Sequence, residues 1–544
     1  MSTSTFSASS QFSYPLSSLP KSTTGAHDYL VYVPYSSSDR LYFSIGNPLY
    51  LLTAANSATT PIGNNFYDPN YNVLYDFAEV TFAQANPPAQ GDIDWTATID
   101  TTQVDSLSLP IKLGFYSYDP SNPSAVTPYI GAAGNPSTNP AGFDVARDTL
   151  MNDIVTGMTS NSNKWGNLAL PFYTNPYSPG TPLTYLRVMA PKHGGTVPEP
   201  QNNYQIPVFP STYLSNNGNS FAYDAAIYSF YDSAGSESLY MQADTAAGGS
   251  GQIYKGNVVG GNSFQFVSQS DNSNVVTLAQ TDFDSIANMF AGTPNMTGTG
   301  STPGTDLPIL KNYFSSAFVV GLLGVAGVYD TSAVPLNQFN LRTHLPQTSG
   351  TVTPSYYTNN FGSQPSSNPG FDLYAELLHQ YAIKPTSPPF NTPYPTLGLC
   401  YGYDYDDTLG FSSAITPPAT TPSSANVYTI ITLGSVGTVP TGVFDDTQSY
   451  NLTFVFSSGT FGYRQGTSGS FTTASSSVVV PNVTSTSSNP FQIQLNSSIY
   501  NVFPKYQFLQ PANEFTSTEQ AIIQGVYIQP DNPNLPTAFT IVLN

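Results

Sequence analysis

Short segments of alternating apolar and polar residues, separated by Gly, Pro and Asn, constrain the fold of this chain most strongly. LYFSIG (41–46), VLYDFAEVTF (73–82) and WTATID (95–100) each fit a strand with one buried face. Turn residues between such segments favour antiparallel strands that close into a sandwich or barrel. We therefore predict a mainly β chain.

The middle of the chain has a different periodicity, which predicts helices. FDVARDTLMNDIVTGM (143–158) places its apolar residues on one helical face. Further helices are predicted from Thr281, from near Asp306 with Pro308 in its first turn, and over FDLYAELLHQYA (371–382). Strands such as LTYLRVMAP and SLYMQAD lie between them. This part of the chain is predicted to be mixed α and β.

The length of 544 residues exceeds that of one ordinary domain, and composition suggests the boundaries. ITPPATTPSS is typical of a linker, and the sequence after it fits strands alone. The prediction is a flexible tail (1–27), a first β-region (28–135), a mixed α/β region (136–339), a return to the β-region (340–415), a linker (416–424) and a C-terminal β-domain (425–544).

Charge and cysteine content exclude several classes of function. Only 8% of residues are charged and the net charge is −20, so nucleic acid and anionic membranes are unfavourable partners. One Cys and four His do not support a disulfide, a metal site or another cofactor. The longest apolar run, 317–329, is too short to span a bilayer. We expect an extracellular protein, although no N-terminal signal peptide is visible.

Two carboxylates stand out because their positions are poorly explained by packing. Glu79 lies on a predicted strand and shares a face with Phe77 and Thr81. Asp105 follows in IDTTQVDSLSLPI, where Asp100 precedes it. Glycoside hydrolysis needs such a pair of acids, one to protonate the leaving oxygen and one to activate water.

Three motifs resemble the thaumatin-like superfamily. AEVTF is similar to its AEFTL strand, IDTTQVDSLSLPI to YDVSxVDGFNxPM, and YGYDYDD (401–407) to YSYxxDD. Within that superfamily the chain resembles glycoside hydrolase family 64, the bacterial β-1,3-glucanases. RDTLMNDIVTGM and LTYLRVMAPKHG resemble that family's SRD helix and LRVxSPxHG strand, and FDLYAELLHQYA resembles its NxYAxxxH helix. The resemblance covers about residues 28–415.

The resemblance implies a thaumatin-like β-sandwich or barrel with an inserted mixed α/β domain that forms a wide, acidic cleft. It implies β-1,3-glucan as the substrate and inversion as the stereochemical course. Glu79 would be the general acid, activated by neighbouring carboxylates, and Asp105 the general base. Thr81, Asp100 and Asp406 would bind sugar hydroxyls or shape the field of the cleft.

Other polar residues have simpler explanations. Arg147 fits an anchor that holds the start of a helix by an ion pair rather than a substrate-binding residue. His379 fits a satisfied packing residue, and Cys400 a small buried residue. A second function remains open at this point, that of a non-catalytic β-glucan-binding, cell-surface or virion structural protein on the same scaffold. The arrangement of Glu79 and Asp105 is what discriminates between the two.

Overall fold

The computed structural model describes part of the chain. The described residues are 16–20, 29, 31, 36–45, 49, 53–54, 57–58, 61, 73–84, 95–119, 122–128, 140–161, 165–172, 184–193, 227, 229–232, 237–261, 263–279, 286–299, 304–325, 327–337, 340–341, 371–384, 397–404, 426–436, 446–456, 460–485, 489–495, 498–503, 508–511, 526–530 and 538–543. The predicted linker lies outside these residues, as does the predicted tail apart from 16–20.

The N-terminal part of the described chain is built from strands. They are β1 (Ser36–Ile45), β2 (Thr53–Ala54), β3 (Ser57–Ala58), β4 (Leu74–Gln84), β5 (Trp95–Asp100), β6 (Ser106–Leu107), β7 (Ile111–Asp119), β8 (Asn122–Pro128) and β9 (Ala141–Gly142). β1, β4 and β5 form one antiparallel sheet with β4 in the centre, and β2 pairs with β3.

The middle part combines helices and strands, as the periodicity predicts. It contains α1 (Arg147–Asn161), β10 (Ala169–Phe172), β11 (Thr184–Met189), β12 (Leu239–Gln242), β13 (Ile253–Val259), β14 (Ser263–Ser268), β15 (Val275–Ala279), α2 (Ile286–Phe290), β16 (Met296–Thr299), α3 (Asp306–Val319) and α4 (Leu373–Tyr381). The start predicted for the second helix, at Thr281, lies outside the described residues. β12 to β16 form a meander, and β10, β11 and β6 form a second sheet.

The helices pack because each has the apolar face that its sequence predicts. Met151, Ile154 and Met158 of α1 are buried in a core that includes Leu377 of α4 and Phe314 of α3. The meander supplies the alternate buried residues of its strands to the same core. No helix among the described residues is long and apolar enough to cross a membrane.

The C-terminal part contains strands alone among its described residues. They are β17 (Asn426–Leu433), β18 (Asp446–Phe456), β19 (Phe461–Gln465), β20 (Thr472–Ala474), β21 (Val478–Ser485), β22 (Phe491–Leu495), β23 (Ser498–Phe503), β24 (Phe508–Pro511), β25 (Val526–Pro530) and β26 (Ala538–Leu543). The prediction of a mainly β chain is confirmed.

Two sheets after β17 share a core of their own. One has the order β21-β18-β26-β25 and the other the order β20-β19-β22-β23-β24. Phe454 lies 5.0 Å from Phe461 and 6.1 Å from Phe491, measured between ring centroids, and all three rings are buried. Residues 446–543 therefore contain the strands of a self-contained sandwich.

β17 belongs to a different sheet from the strands that follow it. Each of its eight residues pairs with a residue of β7, from Asn426 opposite Tyr118 to Leu433 opposite Ile111. Ile431 and Leu433 also pack against the core that contains Leu113. β17 therefore falls within the predicted C-terminal domain (425–544) but pairs with a strand of the predicted first β-region (28–135). Local composition does not record which earlier strand a segment joins.

This pairing predicts different outcomes for two truncations. A chain that ends at residue 440 keeps β17 and should remain folded and monodisperse. A chain that ends at residue 424 loses β17, exposes the edge of β7 and should melt earlier and aggregate, since an open strand edge promotes association. Thermal unfolding and size-exclusion chromatography measure the difference. Equal melting temperatures and elution profiles would show that β17 contributes nothing to the first sheet.

Candidate active site

A row of three charged residues crosses the sheet of β1, β4 and β5. Arg40 on β1 pairs with Glu79 on β4, and Glu79 pairs with Asp100 on β5. Directly opposed residues in an antiparallel ladder point to the same face. The three side chains therefore lie side by side on one face of the sheet, with Glu79 in the middle.

Asp105 lies between β5 and β6, in a segment held by backbone hydrogen bonds. The Ala190 N–H donates to the Asp105 carbonyl at 3.0 Å, and the Gln103 N–H donates to the Tyr401 carbonyl at 2.8 Å. The buried Tyr374 hydroxyl of α4 donates to the Gln103 carbonyl at 2.7 Å. Three distant segments thus fix the position of Asp105.

A buried carboxylate ties the same segment to β4. Asp76 accepts hydrogen bonds from the N–H groups of Phe77 at 2.9 Å, Ser108 at 2.8 Å and Leu109 at 2.9 Å. Asp76 precedes Glu79 by three residues, so their side chains point to opposite faces of β4. One face of β4 therefore presents Glu79, and the opposite face binds the segment after Asp105 through Asp76.

Two buried arginines support this packing by binding carbonyl groups. Arg147 Nε donates to the Ser108 carbonyl at 2.8 Å, and its Nη2 donates to the Leu186 carbonyl at 3.1 Å. Arg187 Nη2 donates to the Val73 carbonyl at 2.7 Å, before the start of β4. Arg147 is fully buried at the start of α1 and anchors the helix, as the sequence analysis expects.

Arg40 connects the two acids that the sequence identifies. Its Nε donates to Glu79 Oε1 at 2.8 Å, and its Nη1 donates to Asp105 Oδ2 at 3.2 Å. The guanidinium also lies over the Phe77 ring, 4.4 Å from its centroid. Phe77 thus serves as a platform for the cation, which accounts for an aromatic residue on the same face as Glu79.

The other oxygen of Asp105 faces two more basic groups. Lys192 Nζ lies 3.1 Å and His193 Nε2 lies 2.8 Å from Asp105 Oδ1. Lys192 Nζ also binds Asp404 Oδ1 at 2.7 Å. Both basic residues belong to a turn of 3-10 helix, Pro191–His193, directly after β11. Basic side chains and carboxylates thus alternate in one network around Asp105.

The charges around Asp105 determine its protonation. Burial alone would raise the pKa of Asp105, but the hydrogen bond from His193 and the charges of Lys192, His193 and Arg40 outweigh it. The pKa of Asp105 is held well below its usual range. Burial raises the pKa of Asp404, against the charge of Lys192. The surrounding positive charges therefore favour the ionised form of Asp105.

The members of this network are accessible to solvent. Their side chains are 15–33% exposed, from Lys192 at the low end to His193 at the high end. Glu79 is 31% and Asp105 is 23% exposed. Groups exposed to this degree line a surface that a ligand can reach, while their charges interact more strongly than charges fully in water.

The structure brings some of the predicted site residues together. Glu79 and Asp105 meet at Arg40, and Asp100 lies directly opposite Glu79. Thr81 follows on the same face of β4 and is partly buried. Asp406 lies outside the described residues, whereas Asp404, two positions earlier in the same motif, lies in the network.

Four residues of the network escaped the sequence analysis: Arg40, Lys192, His193 and Asp404. Lys192 and His193 lie within the motif APKHG, and Asp404 lies within YGYDYDD. Both motifs resemble family motifs, so these residues could have been found from the sequence. Arg40 had a weaker signal, its place beside a strand in a chain with only 13 Lys and Arg residues. Among the described residues, no group of three or more His, Cys, Asp or Glu side chains is arranged to hold a metal ion.

His379 and Cys400 lie in the core rather than in the network. Both are fully buried, and His379 Nδ1 lies 3.0 Å from the Gly398 carbonyl and 3.3 Å from Cys400 Sγ. These contacts agree with packing roles for both residues.

Comparison with known proteins identifies relatives of the chain. Residues 2–274, which are 273 of the 544, match the family model of glycoside hydrolase family 64, described as Beta-1,3-glucanase. Arg40, Glu79, Asp105, Lys192 and His193 all fall within the matched range. No curated protein matches the chain.

Solved structures of such enzymes are similar to this chain at low identity. A laminaripentaose-producing β-1,3-glucanase in complex with laminaritetraose is 17% identical with a TM-score of 0.42, over 72% of this chain and 77% of that one. A β-1,3-glucanase domain from Clostridium beijerinckii is 19% identical with a TM-score of 0.39, over 74% and 76%. A laminaripentaose-producing enzyme from Paenibacillus barengoltzii is 15% identical with a TM-score of 0.33, over 75% and 57%.

The family model covers half of the chain, including both candidate catalytic carboxylates and the three basic residues that contact them, Arg40, Lys192 and His193. The chain belongs to glycoside hydrolase family 64, the β-1,3-glucanases.

Proposed function

We propose that this chain hydrolyses β-1,3-glucan with inversion, with Glu79 as general acid and Asp105 as general base. The observation that carries the proposal is the pair of partly exposed carboxylates held side by side by Arg40. A glycosidase of this type needs two carboxyl groups on either side of the scissile bond. The alternative of a non-catalytic glucan-binding protein gives no reason for two acids to share one guanidinium.

The surroundings of the two carboxylates support this division of roles. Asp105 contacts Arg40, Lys192 and His193, which hold it in the ionised form that a general base requires. Among the described residues, the charged side chain that contacts Glu79 is that of Arg40 alone. An acid and a base made from two carboxyl groups need different environments, and these two have them.

The chemistry follows from these roles in one displacement. Glu79 transfers its proton to the glycosidic oxygen, and the bond from that oxygen to the anomeric carbon breaks with its electron pair on the oxygen. Asp105 takes a proton from a water molecule, whose oxygen forms the new bond to the anomeric carbon from the opposite side. The water supplies both the hydroxyl of the product and the proton that Asp105 receives.

The remaining polar groups fit the recognition of a neutral polysaccharide. Asp100 beside Glu79, and Thr81 further along the same face, offer hydrogen-bonding groups to sugar hydroxyls. A glucan carries no charge, so the net charge of −20 does not oppose its approach. Asp406 remains a predicted member of this set.

Substitution of either catalytic acid should abolish most of the activity. Glu79→Gln keeps the shape but removes the proton donor, so kcat on laminarin should fall by at least ~10²-fold, and Asp105→Asn should be comparably damaging. Glu79→Gln should still bind insoluble glucan in a pull-down assay. Glu237→Gln, outside the network, serves as the control and should leave kcat unchanged. Undiminished hydrolysis by Glu79→Gln contradicts the proposal.

The stereochemistry of the first product is a separate prediction. Inversion at a β-linkage releases the α-anomer, because water attacks the face opposite the leaving group. Proton NMR of laminarin hydrolysis within the first minutes should show the α-anomer before mutarotation. A β-anomer that appears first would demonstrate retention and would exclude Asp105 as a base for water.

The pH dependence should respond to the cations at Asp105. Lys192→Met removes one positive charge, so the pKa of Asp105 rises from its depressed value. Because the base must be ionised, the acid limb of kcat/KM should move to higher pH. Lys255→Met, on β13, is the matched control and should leave the acid limb in place. An unmoved acid limb in Lys192→Met would show that Asp105 is not the base.

A further inference from the structure

Arg40 is fixed by contacts within the protein before any substrate arrives. Its strand position places it directly opposite Glu79, and the Phe77 ring supports one face of its guanidinium at 4.4 Å. Nε and Nη1 then bind different carboxylates. An arginine held in this way keeps a constant distance from both acids, because each contact restricts a different part of the side chain.

We propose that Arg40 is a positioning residue for proton transfer, which stabilises the carboxylate that Glu79 becomes when it protonates the leaving oxygen. The inference rests on the proposed function and adds a third member to the acid and base. It assigns to the contact between Arg40 and Glu79 a role in the transition state.

The physical reason lies in the charge change at Glu79. Before the reaction a general acid is neutral, and during proton transfer it gains negative charge. The bond from Arg40 Nε to Glu79 Oε1, at 2.8 Å, strengthens as that charge develops, because charge-assisted hydrogen bonds are stronger than neutral ones. Only interactions that are stronger in the transition state than in the ground state accelerate the chemical step.

The geometry leaves the second oxygen of Glu79 for the proton. Arg40 binds Oε1, and within the described part of the chain no hydrogen bond or ion pair involves Oε2. The proton can therefore leave from Oε2 to the glycosidic oxygen while Oε1 keeps its contact with Nε. No rearrangement of Arg40 is needed during the step.

The link to Asp105 explains why the cation is an arginine. A guanidinium presents several N–H groups in a rigid plane, so Nε and Nη1 reach two carboxylates at once. A lysine ammonium is a point charge on a flexible chain. Lysine at this position would keep a positive charge but would lose the fixed spacing between Glu79 and Asp105.

The test compares leaving groups. Arg40→Met and Arg40→Lys are assayed on laminarin and on an aryl β-1,3-gluco-oligosaccharide whose dinitrophenolate departs without protonation. We expect kcat on laminarin to fall by ~10²-fold in Arg40→Met with little change in KM, and to fall less in Arg40→Lys. On the aryl substrate the loss should shrink to within about tenfold, because no proton from Glu79 is needed there.

Control variants separate a chemical role from a structural one. Arg464→Met removes a comparable arginine, stacked 4.3 Å from the Phe471 centroid in the C-terminal sandwich, and should leave both activities unchanged. Thermal unfolding and circular dichroism establish that each variant is folded. If Arg40→Met unfolds, the losses on laminarin and on the aryl substrate are compared in Arg40→Lys alone.

Two results distinguish failure of this inference from failure of the proposed function. Equal losses on laminarin and on the aryl substrate, in folded Arg40 variants, would overturn the role in proton transfer. Full laminarin activity in an Arg40 variant, with Glu79→Gln inactive, would overturn it as well and leave Glu79 as the acid. Full activity in Glu79→Gln would instead overturn the proposed function.

Discussion

The buried carboxylate of Asp76 is the interaction on which the site depends. It is 1% exposed and accepts three N–H groups, one from β4 itself and two from Ser108 and Leu109. Burial raises the pKa of Asp76 to about 7, while the three donors and Arg187 oppose that rise. A carboxylate in the interior is costly unless its oxygens are satisfied, so a change in the path of residues 105–109 would leave Asp76 without its partners.

The consequence for function is a fixed geometry between two acids on different segments. Glu79 belongs to the strand that carries Asp76, and Asp105 belongs to the segment that Asp76 binds. The bond from Ala190 N–H and the bonds of Arg147 hold that segment from its other side. In the proposed mechanism, preorganisation of this kind means that the two acids do not have to be ordered during the reaction.

Charge is concentrated at the site in a chain that has little of it. The whole chain has only 13 Lys and Arg residues and four His residues. Three of these basic residues, Arg40, Lys192 and His193, contact the two candidate acids. At partial burial these pairs interact more strongly than solvated pairs would. Removal of any one member would leave a partner with unbalanced charge, so the network behaves as a unit.

Local sequence was sufficient to predict the fold class and several of its elements. The strand with Glu79, the helices at Arg147, Asp306 and Leu373, and the mainly β fold class follow from periodicity and turn residues over short windows. Arg40 could not be placed in the same way. Its partner is fixed by the register of β1 against β4, which joins residues 39 positions apart. Pairing of β17 with β7 is a still longer connection that composition does not encode.

The feature that distinguishes the two candidate acids lies outside the sheet that carries Glu79. Arg40 contacts both Glu79 and Asp105, so this contact alone does not distinguish them. The asymmetry comes from the turn Pro191–His193, which brings Lys192 and His193 to Asp105. A two-residue basic sequence after β11 therefore lowers the pKa of Asp105, the carboxyl group for which we propose the role of base.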